Sequence, residues 1–312
     1  MNFRILHIFA TLTCLLCITL NSYSTERYTQ TILSHHGQSI GALLVPIGES
    51  PTHGWPAVLL LHDHGARFQK GWQKVIGNNP EPYYSGMAIG DSLAAHGYVV
   101  LCVDALYWGN RQSALPQRLF SDSLGTGKWF EQILSEDKQC IDWLAHQPFV
   151  DSTRIAVAGF SFGAYRAWNI AAEEKRVKLC IASHWMTTLA QNRYNDSWLC
   201  MYRNGMYPLS YKELVSHPDT YSTLRFAEIA AQIAPRSFLL QYGAQDKLFP
   251  VNAVDSCVQL INSVYNSAYL SQSHPLQCDE EVAHFKHERY ECGHVFTHQH
   301  LLKWLFFLQK QL

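Results

Sequence analysis

The chain has 312 residues, of which 47% are hydrophobic and 16% charged, and its formal net charge is −1 at pH 7. This composition is typical of a globular protein with ample material for a large core. The near-neutral balance argues against nucleic acid as a partner, and no block of like charge predicts a disordered tail.

The first 24 residues have the layout of a secretory signal peptide. A positively charged start, MNFR, precedes the apolar run ILHIFATLTCLLCITL, and small residues follow at Ser22 and Ser24. The run is short for a membrane span, which needs about 20 residues. We therefore expect cleavage after Ser24 and export to the periplasm or the medium, with no stable membrane span afterwards. An uncleaved anchor, or lipid attachment at Cys14 or Cys17, is the alternative.

Seven cysteines lie beyond residue 24, and an odd number leaves at least one thiol unpaired. Cys102 and Cys180 fall within apolar strand-like runs and are expected in the core. Cys257, Cys278 and Cys292 are the better candidates for a disulfide. None of these seven shows CxxC spacing, so a structural zinc site is not expected.

From residue 25 onward, short apolar runs alternate with amphipathic ones. The expected strands are SIGALLVPIG, PAVLLLH, YVVLCVDA, RIAVAGF, VKLCIAS, RSFLLQYG and a short one near HFKHERY. The expected helices are SGMAIGDSLAAHG, WFEQILSEDKQCIDWLAHQ, GAYRAWNIAAEE and THQHLLKWLFFLQKQL. This alternation predicts an α/β fold in a single domain, residues 25–312, with a mostly parallel sheet covered by helices on both faces. The stretch from about Met186 to Ala234 departs from the pattern and is expected to be an insertion over the site.

A G-x-S-x-G motif stands between the strand RIAVAGF and the helix that follows it, with Ser161 at its centre. Small flanking residues let a strand and a helix approach closely, so that the serine sits in a tight, strained turn with its hydroxyl exposed at the carboxyl edge of the sheet. The helix N-terminus beneath favours developing negative charge. The alternative is a Gly/Ser turn that merely caps a helix.

Ser161 needs a base and an acid to become a nucleophile, and in such folds the partners follow in the order Ser, Asp, His. Asp246 comes just after the strand RSFLLQYG, and His294 lies in the loop before the last helix. We predict Ser161, Asp246 and His294 as the catalytic residues. The plainer interpretations are a turn-forming Asp246 and an exposed loop His294.

The second requirement is a pair of N–H groups for the oxyanion. The expected donors are the backbone of Phe162, after the serine, and of His64, with Gly65 next to it, in the loop after the strand PAVLLLH. His62 is expected to brace this loop. Metal sites at His62 and His64, or at His294 and His298, would have too few ligands, so no metal is expected.

With these residues the chain resembles the α/β-hydrolases, in particular the branch of dienelactone hydrolases and acetyl xylan esterases. The resemblance covers about residues 35–312 and rests on LLLHDHG, GFSFGAYRAW, IAPRSFLLQYGAQDKLFP and CGHVF, in that order. It implies a Ser161–Asp246–His294 triad, no metal or other cofactor, and hydrolysis of small esters. Dienelactone hydrolases commonly use a cysteine nucleophile, so Ser161 favours a carboxylesterase or a carbohydrate deacetylase.

Two further stretches follow strands at the expected edge of the site: YWGNR, with Trp108 and Arg111, and SHWMTT, with Trp185. Their aromatic rings could stack on a sugar or an acyl group, which makes these three residues candidates for substrate binding and an acylated carbohydrate a candidate substrate. Ordinary core packing, and a structural role for Arg111, are the alternatives.

Two other functions remain compatible with the sequence. One is a serine peptidase of the prolyl oligopeptidase type, which shares this catalytic domain but usually carries a large N-terminal propeller. The other is a binding protein without catalysis on a hydrolase scaffold. Labelling by a fluorophosphonate would separate an enzyme from a binding protein, and ester against peptide turnover would separate the two enzymes.

Overall fold

A computed structural model describes residues 24–34, 37–65, 67–77, 81–112, 128–189, 223–271 and 284–312. Its sheet has eight strands in the order β1-β2-β4-β3-β5-β6-β7-β8. Their bounds are β1 Ser24–Ser34, β2 Gly37–Ile47, β3 Trp55–Leu61, β4 Val99–Val103, β5 Val150–Phe160, β6 Val177–Ser183, β7 Ser237–Gly243 and β8 Phe285–Tyr290. The β1/β2 and β2/β4 pairs are antiparallel and all the others are parallel. The mostly parallel α/β-hydrolase sheet is thus confirmed.

Helices cover both faces of the sheet. Their bounds in the described part of the chain are α1 Ile89–Ala95, α2 Lys128–Ala145, α3 Phe162–Glu173, α4 Arg225–Ala231, α5 Val251–Leu270 and α6 His298–Gln311. Apolar side chains of α1 and α6 pack in one core, and those of α2, α3, α4 and α5 in the other. Along β3, Val58 and Leu60 face the first core while Leu59 and Leu61 face the second, so a continuous apolar run is buried on both sides.

The sequence prediction missed α4, at the end of the predicted insertion, and two further elements. The first is β1, whose sequence STERYTQTILS mixes polar and apolar residues because it pairs only with β2 at the edge of the sheet. The second is α5, a 20-residue helix that follows the Asp246 loop directly.

The C-terminal portion of the predicted insertion, about Met186–Ala234, belongs to the core. The described end of this stretch forms α4, whose Phe226 and Ala230 are buried against the same core as α3. The N–H of Leu189 donates to the carbonyl of Thr223 over 2.8 Å, so the chain returns to the point where it left the sheet. Residues 190–222, the middle of the predicted insertion, lie outside the described residues.

The predicted signal peptide also falls outside the described residues, apart from Ser24. None of the helices described here is long and apolar enough to cross a membrane. Of the cysteines expected to form a bridge, Cys257 and Cys292 are free thiols, which corrects that expectation for both. Cys257 is buried on α5 and its Sγ lies 3.3 Å from the carbonyl of Thr187.

Candidate active site

Ser161 occupies a strained turn between β5 and α3, as the motif predicted. Its φ of 55° and ψ of −123° lie outside the ordinary helix and strand regions. A Cβ on Gly163 would lie 1.9 Å from the carbonyl oxygen of Leu61, and one on Gly159 would lie 2.3 Å from the carbonyl carbon of Gly163. Only glycine permits so close an approach of strand and helix, so the two flanking glycines are needed to hold the serine at the tip.

The structure brings Ser161, Asp246 and His294 together. His294 Nε2 lies 2.9 Å from Ser161 Oγ, and His294 Nδ1 lies 2.8 Å from Asp246 Oδ2. Because a carboxylate only accepts, Nδ1 carries the proton and Nε2 offers its lone pair to the serine hydroxyl. This tautomer is the one that can remove a proton from Ser161.

Asp246 is buried and fully engaged. Its Oδ1 accepts the backbone N–H groups of Leu248 and Phe249, at 2.9 and 3.2 Å, while Oδ2 accepts from His294 and from His184, the latter at 2.9 Å. Burial alone would raise the pKa of this carboxyl, but the hydrogen bonds from His184 and His294 outweigh it and hold the pKa well below its ordinary value. Asp246 is therefore a fixed anion.

Two aromatic rings hold the imidazole of His294. Phe249 stacks on it at a centroid distance of 5.5 Å, and Phe160 lies on it at 4.9 Å. The side chain is 21% exposed, so its reacting edge remains open toward Ser161. Packing and the bond to Asp246 together fix the ring's orientation.

Sequence reasoning missed His184, which follows β6 and donates to the same oxygen of Asp246 as His294 does. It also missed His300 on α6, whose Nε2 lies 3.0 Å from Nε2 of His184. Both are fully buried. The sequence does contain a signal, because His184 directly follows the strand VKLCIAS and so lies at the same sheet edge as the other candidates.

The loop after β3 holds the expected oxyanion donors. Lys74 is fully buried, and its Nζ donates to the carbonyl oxygens of Asp63 at 3.0 Å and His64 at 2.6 Å. In a trans peptide the N–H points opposite to the C=O. The N–H groups of His64 and Gly65 therefore point away from Lys74, and both residues line the cavity that contains Ser161.

A second set of contacts holds the same loop in place. The carboxylate of Asp63 accepts the hydroxyls of Tyr83 at 2.8 Å and Tyr84 at 2.7 Å. Gly65 has a φ of +51°, and a Cβ there would lie 2.1 Å from the Tyr83 hydroxyl oxygen. His62 braces the loop as expected: its Nδ1 bonds the Asp63 carbonyl at 2.9 Å and its Nε2 accepts the N–H of Ala105 at 3.1 Å.

The cavity beside Ser161 has a volume of about 270 Å³. Its described walls are largely aromatic and apolar and contain no lysine or arginine. They comprise Asp63, His64, Gly65, Tyr83, Phe160, Ser161, Phe162, Trp185, Leu248, Phe249 and His294. Trp185, one of the three predicted substrate contacts, is therefore placed at the cavity.

The other two predicted substrate contacts are corrected. Trp108 is fully buried behind the loop, with its indole stacked on Phe162 at 5.6 Å and its Nε1 donating to the His64 carbonyl at 3.1 Å. Arg111 forms a two-pronged ion pair with Glu136, including Nη2 to Oε1 at 2.8 Å. Neither belongs to the described part of the cavity wall, and both hold the loops after β3 and β4.

Among the described residues, two overlapping groups near the triad could present ligand atoms to a metal. One of them, His184, Asp246 and His294, is the hydrogen-bonded cluster around the Asp246 carboxylate itself. In the other, His184, Cys292 and His300 present ligand atoms within 4.8 Å of one another. A metal on Nε2 of His300 would require a proton on Nδ1, yet that nitrogen accepts the backbone N–H of Thr297 at 3.1 Å. The cluster therefore fits a hydrogen-bonded network better than a metal centre.

Comparison with known proteins agrees with this fold. The model of the dienelactone hydrolase family matches residues 49–199, a span that contains the loop after β3 and Ser161 and ends before Asp246 and His294. YtaP of Bacillus subtilis (strain 168) is 28% identical over 216 residues, which are 67% of this chain and 67% of that protein.

Two solved structures show the same fold at lower identity. The acetyl xylan esterase from Paenibacillus sp. R4 has a TM-score of 0.61 and 17% identity over 93% of this chain and 85% of its own. The acylaminoacyl peptidase of Pyrococcus horikoshii has a TM-score of 0.62 and 13% identity over 94% of this chain. The chain spans only 43% of the length of that peptidase.

Proposed function

We propose that this chain, which has the α/β-hydrolase fold and matches the dienelactone hydrolase family model over residues 49–199, is a serine esterase that cleaves neutral carboxylic esters through an acyl-enzyme on Ser161. One observation carries the proposal: His294 stands between Ser161 Oγ and Asp246 Oδ2 at 2.9 and 2.8 Å, at the wall of an open cavity. This is the constellation that nucleophilic catalysis by a hydroxyl needs.

In the first half of the reaction, Ser161 Oγ attacks the ester carbonyl carbon while its proton moves to His294 Nε2. The negative charge on the carbonyl oxygen is met by N–H groups of Phe162 and His64. Asp246 stabilises the imidazolium and keeps its orientation. The intermediate then collapses, and His294 gives its proton to the leaving alcohol oxygen.

In the second half, water takes the alcohol's place. His294 removes a proton from the water, whose oxygen attacks the acyl carbon. The bond to Ser161 Oγ breaks, and the serine recovers its proton from His294. The products are an acid and an alcohol, and the protein returns to its starting state.

The cavity wall favours a neutral substrate. Six of its described residues are apolar or aromatic, and Asp63 is the acidic one, bound to two tyrosine hydroxyls. A carboxylate on the substrate would enter without a cationic partner among the described walls, and burying an unpaired charge is costly. A small acyl group, including the acetyl group of an acylated carbohydrate, fits this chemistry.

The test is S161A against 4-nitrophenyl acetate. The variant should lose about 10⁴-fold or more in kcat/KM and should no longer react with a fluorophosphonate. Retained turnover would reject the proposal. A matched set of peptide 4-nitroanilides separates an esterase from a peptidase, since a peptidase would turn these over at comparable rates.

We also propose export, on the basis of the leader-like residues 1–24. Expression of the full chain in a bacterial host and N-terminal sequencing of the mature protein would test it. A chain that retains Met1 in the cytoplasmic fraction would contradict it.

A further inference from the structure

We propose that His184 and His300 are positioning residues: together with the N-terminus of α6 they form a one-directional chain of hydrogen bonds that ends on Asp246 Oδ2 and holds this carboxylate in place for His294. The inference deepens the proposed function and rests on it, because Asp246 needs to be held only if His294 acts as a base. It adds two histidines to the three side chains that the sequence predicted.

The direction of the chain follows from a backbone donor. The N–H of Thr297 can only donate, and it lies 3.1 Å from Nδ1 of His300, so that nitrogen must accept. A neutral His300 then carries its proton on Nε2 and donates it to Nε2 of His184 over 3.0 Å. His184 in turn carries its proton on Nδ1 and donates to Asp246 Oδ2 over 2.9 Å.

The helix cap explains why His300 can play this part. Thr297 is the N-cap of α6 and His300 is the third residue of the helix, where a Glu or Gln usually completes a capping box. The Thr297 hydroxyl also lies 2.8 Å from Nδ1 of His300. His300 thus caps the helix with Nδ1 and reaches inward to His184 with Nε2.

The backbone at His184 is strained. His184 has a φ of 58°, in the left-handed region that L-residues seldom adopt. Its imidazole also packs against Gly243, where an added Cβ would lie 2.9 Å from Cε1 of His184. A strained backbone conformation persists only when the surrounding structure holds it. At His184 the surrounding contacts hold the imidazole with Nδ1 toward Asp246.

The arrangement leaves Asp246 no freedom. Both carboxylate oxygens accept two N–H groups each, so the group cannot rotate and its lone pairs are occupied. The ionisable groups facing His184 are Asp246, His294, His300 and Cys292. Burial lowers the pKa of His184 and that of His300, the latter to about 3, so both imidazoles stay neutral as the chain requires.

The first test compares H184F with H184N. The control is H298Q, which alters an exposed histidine in the first turn of α6. Phenylalanine keeps a ring beside Phe160 but has no donor, whereas asparagine places an N–H near the position of Nδ1. For H184F we expect kcat on 4-nitrophenyl acetate to fall about tenfold to hundredfold, with KM within about twofold, as for the loss of a hydrogen bond to a charged group. H184N should recover to within about threefold of the parent. Equal losses in the two variants, or no loss in H184F, would overturn the positioning role.

The second test compares H300Q with H300E, which share the capping box but differ in one donor. Glutamine can still donate to Nε2 of His184 and should keep the pH profile of kcat. A carboxylate can only accept, so His184 must take up a second proton between two carboxylates, and the profile should gain an ionisation. Superimposable profiles for the two variants would contradict the chain.

A spectroscopic readout separates failure of this inference from failure of the proposed function. In the ¹⁵N-histidine spectrum of the unaltered protein, His184 should be the Nδ1–H tautomer and His300 the Nε2–H tautomer, assigned by loss of signals in H184N and H300Q. The opposite tautomers would overturn the chain even in an active esterase. These tautomers in a protein whose Ser161 resists fluorophosphonate would reject the esterase instead.

Discussion

Nζ of Lys74 lies 2.6 Å from the carbonyl oxygen of His64, inside the protein and beneath the loop that faces Ser161. The same ammonium lies 3.0 Å from the carbonyl oxygen of Asp63 and thus fixes the direction of the peptide whose N–H, that of His64, we assign to the oxyanion. Because burial without a partner is costly, this contact links the stability of the loop to its proposed catalytic role.

K74M should therefore damage both stability and rate. Methionine fills the space of the stem but removes the charged donor from the carbonyls of Asp63 and His64, which keep only the neutral donors His62 Nδ1 and Trp108 Nε1. We expect a loss of about 3 kcal/mol in the free energy of unfolding, measured by urea titration, and about tenfold or more in kcat. K138M, at the exposed pair with Glu173, is the control and should change stability by about 0.5 kcal/mol. A K74M protein with normal kcat would show that Lys74 does not orient the loop.

G163A should disrupt the turn that carries Ser161. The added Cβ would lie 1.9 Å from a backbone oxygen of β3, which no rotamer change can relieve. We expect destabilisation of about 3 kcal/mol and loss of fluorophosphonate labelling. G86A makes a useful comparison, because Gly86 has a φ of +75° but nothing within 4 Å of the added Cβ. It should cost about 1 kcal/mol of backbone strain and leave labelling intact; similar losses in both variants would argue against the clash.

Trp185 and Trp108 offer a matched pair for the cavity. Both indoles are buried, but only Trp185 lies on the cavity wall. W185F should enlarge the cavity. We expect the ratio of kcat/KM for 4-nitrophenyl butyrate to kcat/KM for the acetate to rise by about threefold or more, because each methylene buried in an apolar pocket favours the longer ester. W108F should leave this ratio unchanged, although it removes the indole N–H bound to His64. The reverse result would return Trp108 to the substrate site.

The buried histidines make the protein sensitive to acid. Burial lowers the pKa of His300 to about 3, while an unfolded chain has a histidine pKa near about 6.5. Between these values the unfolded state binds the extra proton, so the free energy of unfolding falls as pH falls, by up to about 2 kcal/mol per such histidine from pH 7 to pH 5. H300Q should lose less over this interval than the parent protein and than H298Q, in urea titrations at both pH values. An unchanged pH dependence in H300Q would mean that His300 is not held neutral.

The sequence predicted those parts of the site that depend on order along the chain. Ser161 lies in a motif with two glycines, and Asp246 and His294 each follow a recognisable strand. The motif and the order of these strands were therefore enough to predict that the three side chains lie together. β1 lacked a regular pattern because an edge strand buries little. α5 was overlooked because its helix begins immediately after the turn of Asp246.

The parts that could not be predicted depend on which side chain points where. Trp108 and Trp185 both follow strands at the same edge, yet one ring turns behind the oxyanion loop and the other into the cavity. His184 stands beside Trp185 in the sequence, but its role depends on a left-handed backbone angle and on His300, 116 residues further along the chain. A pattern of residue types contains neither piece of information.

The hydrogen bond between Leu189 and Thr223 has a consequence for how such a protein can diversify. The bond, 2.8 Å long, holds the two ends of residues 190–222 together, and the entropic cost of closing a loop rises only slowly with its length. We therefore expect changes in the length of this stretch to cost little in loop-closure entropy.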